Sequence, residues 1–565
     1  VSTVDWIVLA GTLAAFLAYG NWRGRHNRDL TDYLLAGRSL TWPLVALSVM
    51  ATQASAVTFL SGPGQGYADG MRFVQFYFGL PLAMVVLCAI AIPAYLRARV
   101  FTAYEYLERR FDAKTRTLAT VLFLVQRALS AGIGIYAPAL VLSVVLGWDV
   151  RVTCVLLGAL VALLITIGGS RALSHAHFLQ FAIILATMVV AFAMIVRALP
   201  HGVGWLDATA LAGKLGRMHA VTTRFDPNDR YNLWSGLIGG FFLQLSYFGC
   251  DQSQVGRYLG GQSITQSRLG LLFNGLLKVP MQCFILFLGV MVFAFYQFAP
   301  SPLFFNPVES RRMADGPQAS SWQALERRYA LAITERRAEA ASFVSARHAH
   351  DPRRATEATR RLSAAQSRVD QVRADAVASI KRADPVAAPT DTNYVFLSFV
   401  LHTLPVGLIG LVLAAMFAAT MNSSSSEMNA LSSTTVVDVY RRLHGAATPR
   451  TELFVSRLAT VLWCGFGVLF ANYAARLGSL IEAVNILGSL FYGTMLGIFL
   501  TAFLLRRVRG TDVFWAALAG EAVVIACFKL TRISFLWYNV IGCVVVMGVS
   551  LTLNTVLARR PLARA

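Results

Sequence analysis

Apolar residues in this 565-residue chain run in long blocks rather than in amphipathic stripes, and that feature narrows what it can fold into. A helix needs about 20 apolar residues to cross the hydrocarbon of a bilayer. Thirteen segments of roughly that kind stand out, over 3–22, 41–67, 71–96, 117–146, 152–167, 176–197, 233–250, 269–299, 405–437, 452–473, 478–504, 512–529 and 533–557. Only 14% of residues are charged, against about 25% in soluble domains. The chain therefore reads as an all-α polytopic membrane protein, because helices satisfy their own backbone groups where no water can. The first segment has no basic n-region and no small-residue cleavage site, so it reads as a span and not as a signal peptide.

A formal net charge of +21 would point to nucleic acid in a soluble protein. Here the basic residues mark orientation instead. With the N-terminus outside, the inward loops collect Arg23, Arg25, Arg28 and Arg38, then Arg97, Arg99, Arg109, Arg110, Lys114 and Arg116, with further arginines from Arg171 to Arg564. The short outward connections hold far fewer, so the positive-inside rule favours N-out, C-in. No nucleic-acid partner is implied. The seven cysteines sit singly in apolar stretches without a CxxC pair, which gives neither a disulfide framework nor a zinc site.

One region does not suit a membrane. Residues 301–391 are polar and rich in Ala, Arg and Glu, with helix-forming runs over Trp322–Val344 and Arg353–Ile380 parted by His348-Ala349-His350-Asp351-Pro352. This predicts a helical hairpin on the outer face.

Ionisable residues within spans or at their ends are functional candidates. They are Arg127, His175, His177, Asp251, Lys278, Glu482, Glu521 and Lys529. Glu521 and Lys529 read as packing or snorkelling residues, and Arg127 as the neutraliser of a polar neighbour. Asp251, Lys278 and Glu482 point to a solute path. Two stretches look unsuited to regular helix: 51–58, continuing into Ser61-Gly62-Pro63-Gly64-Gln65-Gly66-Tyr67, and 244–252. Interrupted helices in corresponding places of two halves mark an inverted-repeat transporter. A third feature is Thr420-Met421-Asn422-Ser423-Ser424-Ser425-Ser426-Glu427, where Asn422, Ser425 and Ser426 share a helix face beside Ser423. Several neutral oxygens suit a weakly held monovalent cation.

At these residues the chain resembles the sodium:solute symporter family. The ordered pieces are Asp32-Tyr33-Leu34-Leu35-Ala36-Gly37-Arg38, Ser55-Ala56-Val57-Thr58-Phe59-Leu60, Tyr104-Glu105-Tyr106-Leu107-Glu108-Arg109-Arg110-Phe111, and Ile135-Tyr136-Ala137-Pro138-Ala139-Leu140. Gly168-Gly169, Asp251-Gln252-Ser253 with Arg257-Tyr258, and the serine run with Asp438-Val439-Tyr440 complete the set. The resemblance covers about residues 28–510 outside the insertion. It implies a LeuT-type core of two inverted five-helix repeats, over 41–198 and 233–504, the second interrupted by the extracytoplasmic 301–391. Residues 1–40 would form a first helix and cytoplasmic loop, and 505–565 two C-terminal helices.

The resemblance further implies a sodium site from the carbonyls of Ala51, Ala54 and Ala419 with the side chains of Asn422 and Ser423. Asn422 replaces the family's usual serine. Solute-binding positions map to Thr58, Tyr77, Gln244, Lys278 and Glu482, with Tyr247 as an aromatic gate. Lys278 suits either a carboxylate or a sugar hydroxyl. Where the family reads Trp-Thr-Asp after its Gly-Gly turn, this chain has His175, Ala176 and His177. A second sodium on that carboxylate is therefore not expected. His177, with Ser425 and Ser426, is the candidate pH-sensing or second-ion position, since histidine titrates near neutrality.

The function implied is sodium-coupled symport of a small polar organic solute by alternating access, in a multi-pass plasma or inner membrane protein. The partners are the solute, Na+ and the lipid bilayer; protein partners are unassigned. Two alternatives are proton coupling on the same fold and a solute sensor, the latter disfavoured by the short tail from Ala558 to Ala565. No cofactor and no metal beyond sodium is implied. The absence of HExxH, GxSxG or paired intramembrane aspartates argues against an enzyme.

Overall fold

The computed structural model describes residues 1–24, 38–385, 390–445, 448–474 and 477–558; the side chains at 17, 19–24, 164, 165, 167–179, 557 and 558 lie outside that description. Among the described residues the architecture is helical, with a single isolated bridge between Leu40 and Gly261. The helices are α1 (Thr3–Gly24), α2 (Trp42–Gln53), α3 (Ala56–Asp69), α4 (Leu80–Ala89), α5 (Ala91–Ala98), α6 (Ala103–Arg110), α7 (Ala113–Leu146), α8 (Val150–Arg197) and α9 (Trp205–Lys214). After a π turn at Ser235–Gly239 come α10 (Gly240–Cys250), α11 (Gln252–Leu259) and α12 (Ile264–Phe298). The polar insertion gives α13 (Pro307–Asp315), α14 (Ala319–His348) and α15 (Pro352–Ala383), followed by α16 (Thr392–Thr403) and α17 (Leu408–Thr434). The chain then forms α18 (Pro449–Ala474), α19 (Leu480–Leu504), α20 (Gly510–Leu530) and α21 (Phe535–Ala558). Nine helices among the described residues are long and apolar enough to cross a membrane, and two shorter apolar helices, Thr3–Phe16 and Val150–Leu163, accompany them.

Both expected interruptions are present. α2 ends at Gln53, Ala54 leaves helical geometry at φ −79°, ψ 66°, and extended Ser55 caps α3 by accepting from the Thr58 amide. The second break falls at Asp251, also extended, which separates α10 from α11 and caps α11 through the Ser253 amide. A short polar residue at each break supplies the acceptor that the new helix's free N–H groups require.

Two expectations need correcting. The Ser61–Tyr67 stretch is regular helix within α3, with Pro63 accommodated inside it. Its glycines serve close packing: a Cβ on Gly64 would overlap the Thr392 carbonyl, and one on Gly66 the Leu286 carbonyl. Residues 152–167 and 176–197 were expected as two spans parted at Gly168-Gly169. The backbone instead continues through both as the 48-residue α8. Two glycines weaken a helix without ending it, and no proline follows them.

The insertion is the anticipated hairpin. Its turn uses His350 in the left-handed region at φ 52° and Asp351, whose carboxylate accepts from the Arg353 and Arg354 amides ahead of Pro352. Trp322 is fully buried among Leu303, Phe304, Met313 and Val369. The hairpin is tied to the transmembrane body: Arg336 donates to the Tyr296 carbonyl at the end of α12, Arg347 and His348 each lie 3.1 Å from Asp207 on α9, and Arg373 pairs with Asp391 at 2.7 Å.

Helices α2 and α3 pack on α12, and α17 packs on α1, α7, α8 and α18. α19 closes the remaining side against α7 and α10. The two broken helices thus stand in the middle of the bundle.

Candidate transport site

At the α2–α3 break the backbone has acceptors to spare. An amide at Ser55 would continue α2 by bonding to the Ala51 carbonyl, but Ser55 begins the next helix. The last carbonyls of a helix lack intrahelical donors and must find others. Thr58 Oγ1 donates to the Gln53 carbonyl at 3.1 Å, and the Ala54 amide bonds to Met50 O at 3.0 Å. Ala51, Ala54 and Ala419 are fully buried, so any partner for their carbonyls comes from within the bundle.

α17 faces this break. Thr52 Oγ1 and Ser426 Oγ lie 3.0 Å apart, which joins α2 to α17 directly. Asn422 and Ser423 are buried, the Asn422 amide nitrogen has no partner among the described residues, and Ser423 Oγ donates to Thr420 O at 3.3 Å. Ser425 and Ser426 both donate to the Asn422 carbonyl, at 3.0 and 2.8 Å. His177 is on α8, where its side chain is outside the described set.

Beside this junction lies a central cavity of about 120 Å³. Thr58, Tyr77, Gln244, Tyr247, Lys278 and Ser423, all singled out from sequence, line it together. Lys278 is 3% exposed, its ammonium lies 5.8 Å from the centre of the Tyr77 ring, and no carboxylate among the described residues pairs with it. Gln254 donates to the Tyr247 hydroxyl at 2.7 Å, which holds that ring 5.9 Å from Tyr492. Val57, Phe76 and Leu243 supply apolar wall.

Arg127 lines the cavity and neutralises polar neighbours, as expected. Its guanidinium pairs with Asp251 and with Glu427, the latter at 3.0 Å, and donates to the Tyr492 hydroxyl at 3.0 Å. Asp251 is not a cavity residue. Its carboxylate is consumed by Arg127, by the Tyr492 hydroxyl at 2.9 Å and by Ser253, so it braces the second break. Glu482 is also elsewhere: it pairs with Arg230 at 2.7 Å and accepts from the Tyr231 hydroxyl at 2.8 Å, away from the cavity lining. Its near neighbour Asn485 lines the cavity instead, as do Gln53, Glu427 and Tyr492. Glu427 was visible at the end of the serine run, one turn beyond Ser423. Gln53, Asn485 and Tyr492 carried no comparable signal.

Comparisons with known proteins bear on the family and the fold. The model of the sodium:solute symporter family matches residues 33–313 and 372–520, leaving unmatched a stretch that falls largely within the hairpin. Human sodium-coupled monocarboxylate transporter 1 is 27% identical over 527 residues, covering 92% of this chain and 72% of its own. The sodium/sialic acid symporter NanT of Aliivibrio fischeri is 22% identical over 555 residues, covering 96% and 92%. The human sodium/iodide cotransporter is 31% identical over 297 residues, 52% of this chain and 45% of its own. Among solved structures, the substrate-bound outward-open state of a Na+-coupled sialic acid symporter superposes with a TM-score of 0.75 at 22% identity, covering 98% of both chains.

Proposed function

The chain belongs to the sodium:solute symporter family, and from that premise we propose that it carries a small solute bearing a carboxylate, held by Lys278 in the central cavity. The protein is a multi-pass membrane symporter that couples solute uptake to sodium by alternating access on a LeuT-type fold, and it is not an enzyme. The observation that carries the solute class is the buried Lys278 ammonium, which faces the cavity and pairs with no carboxylate among the described residues. A desolvated cation favours an anionic ligand strongly, since leaving it unpaired is costly. The named solutes of the relatives, monocarboxylates, sialic acid and iodide, are anions as well. Thr58 and Gln244 would bond the solute's polar groups, with Tyr77 and Tyr247 bounding it.

Sodium would sit at the α2–α17 junction on the carbonyls of Ala51, Ala54 and Ala419 with Asn422 and Ser423. Ala51 lies at the end of α2, where the Ser55 amide that would bond its carbonyl starts the next helix instead, and this supports that reading. The α2–α3 break also explains coupling. Thr58 bonds to Gln53 O and Ser55 Oγ, so an ion that orders residues 51–54 orders a solute-binding residue with them. By linkage, sodium raises solute affinity and solute raises sodium affinity by one factor. We read 41–198 and 233–504 as the two repeats, with the basic loops cytoplasmic and the 301–391 hairpin outside.

Uptake into proteoliposomes tests this with sodium, proton or no gradient across a panel of short monocarboxylates and their amides. Accumulation of a carboxylate driven by sodium alone is expected. Equal transport of the amides, or accumulation without sodium, would refute the assignment.

A further inference from the structure

The charged network beside the central cavity leaves one oxygen over. Asp251 spends both carboxylate oxygens, on Arg127, the Tyr492 hydroxyl and Ser253. Glu427 spends only Oε1, on Arg127 at 3.0 Å; its Oε2 is buried and has no partner among the described residues. The serine run holds a matching exception. Ser423, Ser425 and Ser426 donate to backbone carbonyls of their own helix, the common resort of a mid-helix serine. Ser424 is fully buried, and its hydroxyl makes no hydrogen bond among the described residues, not even with Glu427 three positions on. Buried polar atoms without partners are rare, and a bound ion is one of the few things that accounts for them.

Both oxygens border one gap, between α17 and α7 at Gly134. A methyl placed on Gly134 would meet Glu427 Oε2 at 3.4 Å and Ser424 Oγ at 3.8 Å, and nothing else from outside its own stretch of helix within 4 Å. These are ordinary contact distances, so the gap takes a methyl-sized particle. Gly134 and Ser130, one turn earlier on α7, line the central cavity, which gives the gap an entrance. Its donors are a carboxylate oxygen and hydroxyls, a hard oxygen set with no thiolate or imidazole. Divalent ions of that class are usually held by more oxygens and more than one free carboxylate. A single carboxylate oxygen, on a group already shared with Arg127, suits a monovalent ion.

We propose that Glu427, Ser424 and Ser130 hold a second sodium ion at Gly134, apart from the one at the α2–α17 junction. With about 3.6 residues per turn, Ser425 faces away from Glu427, so this place is also apart from the His177 position. The ion brings Arg127, Asp251 and Glu427 to zero net charge. It also ties sodium to solute, a step that rests on the carboxylate reading above. A carboxylate that neutralises Lys278 removes the cavity's other cation, and the surplus negative charge at Glu427 then draws sodium more strongly. Solute and second sodium favour each other by the same factor. The site itself does not depend on what the solute is.

The test titrates purified full-length protein in detergent with radiolabelled sodium, without solute, and counts the ions bound per protein. Wild type is expected to bind two. Gly134→Ala fills the gap with a methyl and keeps every charge, so it should bind one. Glu427→Gln should bind one as well, and if it does not fold, Gly134→Ala decides. Asn422→Ala should weaken the junction ion and leave the ion at Gly134 with wild-type affinity. A wild-type count of one overturns the proposal, because Glu427 then carries a proton or bonds Ser424. A count still at two in Gly134→Ala overturns it too, because the second ion then lies elsewhere. A single ion that weakens in Asn422→Ala and not in Gly134→Ala overturns this site while leaving the junction site standing, so the two failures are told apart.

Discussion

The Thr52 and Ser426 hydroxyls meet at 3.0 Å, although 374 residues of chain separate them. One donates to the other, and the remaining proton serves a backbone carbonyl on its own helix, Ser48 O or Asn422 O, each 2.8 Å away. Both groups are buried, so the bond competes with little water and fixes the end of α2 against the serine-rich turn of α17. The residues proposed for sodium are thereby held together. Thr52→Val removes this tie while Ser426 keeps its backbone acceptor. The expected cost is about 1 kcal/mol, which is about a fivefold rise in the sodium concentration for half-maximal uptake. Solute affinity at saturating sodium should stay unchanged.

Ser423→Ala deletes an oxygen that borders the cavity and belongs to the proposed sodium site. Bonds to charged groups contribute about 1.5–3 kcal/mol, so sodium activation should shift by at least about tenfold. Solute preference across the carboxylate panel should not change. A sodium titration of uptake reads both, and an unshifted curve removes Ser423 from the site.

Lys278→Met replaces the cavity's ammonium with a chain of similar length. A carboxylate solute should lose about 2 kcal/mol, roughly thirtyfold in KM, and Lys278→Arg should recover part of it. An amide analogue should bind the Lys278→Met variant no worse than wild type. Competition of the two against labelled solute gives the comparison directly.

Arg127 separates two carboxylates inside the bundle, and its loss leaves both without their cation. Arg127→Met is expected to destabilise by about 3–5 kcal/mol, the usual result of breaking a buried pair from one side. Glu427→Gln removes one of the two acids and should cost far less. Combining Glu427→Gln with Arg127→Met should cost less than the sum of the two, because the residues share one network. Unfolding midpoints of the three variants in detergent test the ordering.

Outside the membrane, Asp207 holds the hairpin. Burial would raise its carboxyl, but the Gly204 amide together with His348 and Arg347 outweighs that and holds it below the ordinary aspartate value of 3.8. A carboxylate lowered on folding contributes stability above its ordinary value and loses it as pH falls through the lowered one. Hydrogen-exchange protection at the His348 end of α14 should therefore decline in strong acid. Asp207→Asn should show the reduced protection at every pH.

Much of this protein was legible in the chain because membrane helices and their interruptions are local. The apolar blocks, the breaks at Ala54–Ser55 and at Asp251, the polar hairpin and the serine run each declare themselves within a few residues. Six of the residues picked for ion or solute surround one cavity. Glu482 and Asp251 were misread for a common reason: a carboxylate in an apolar stretch looks functional until its cation is located, and Arg230 and Arg127 lie 252 and 124 residues away. The Ser61–Tyr67 run misled in the opposite sense, because its glycines answer to Thr392 and Leu286 and not to their own backbone.

By itself, then, the amino-acid order determined that the chain lives in a bilayer, where its helices break, and where short oxygen-bearing side chains cluster. Those properties follow from burial and backbone hydrogen bonding along a single helix. Only the tertiary structure decided which charges are spent on each other and which remain free. Charge compensation acts through space between helices distant in sequence, and among the described residues it leaves Lys278 without an acidic partner while Arg127, Asp251 and Glu427 neutralise one another.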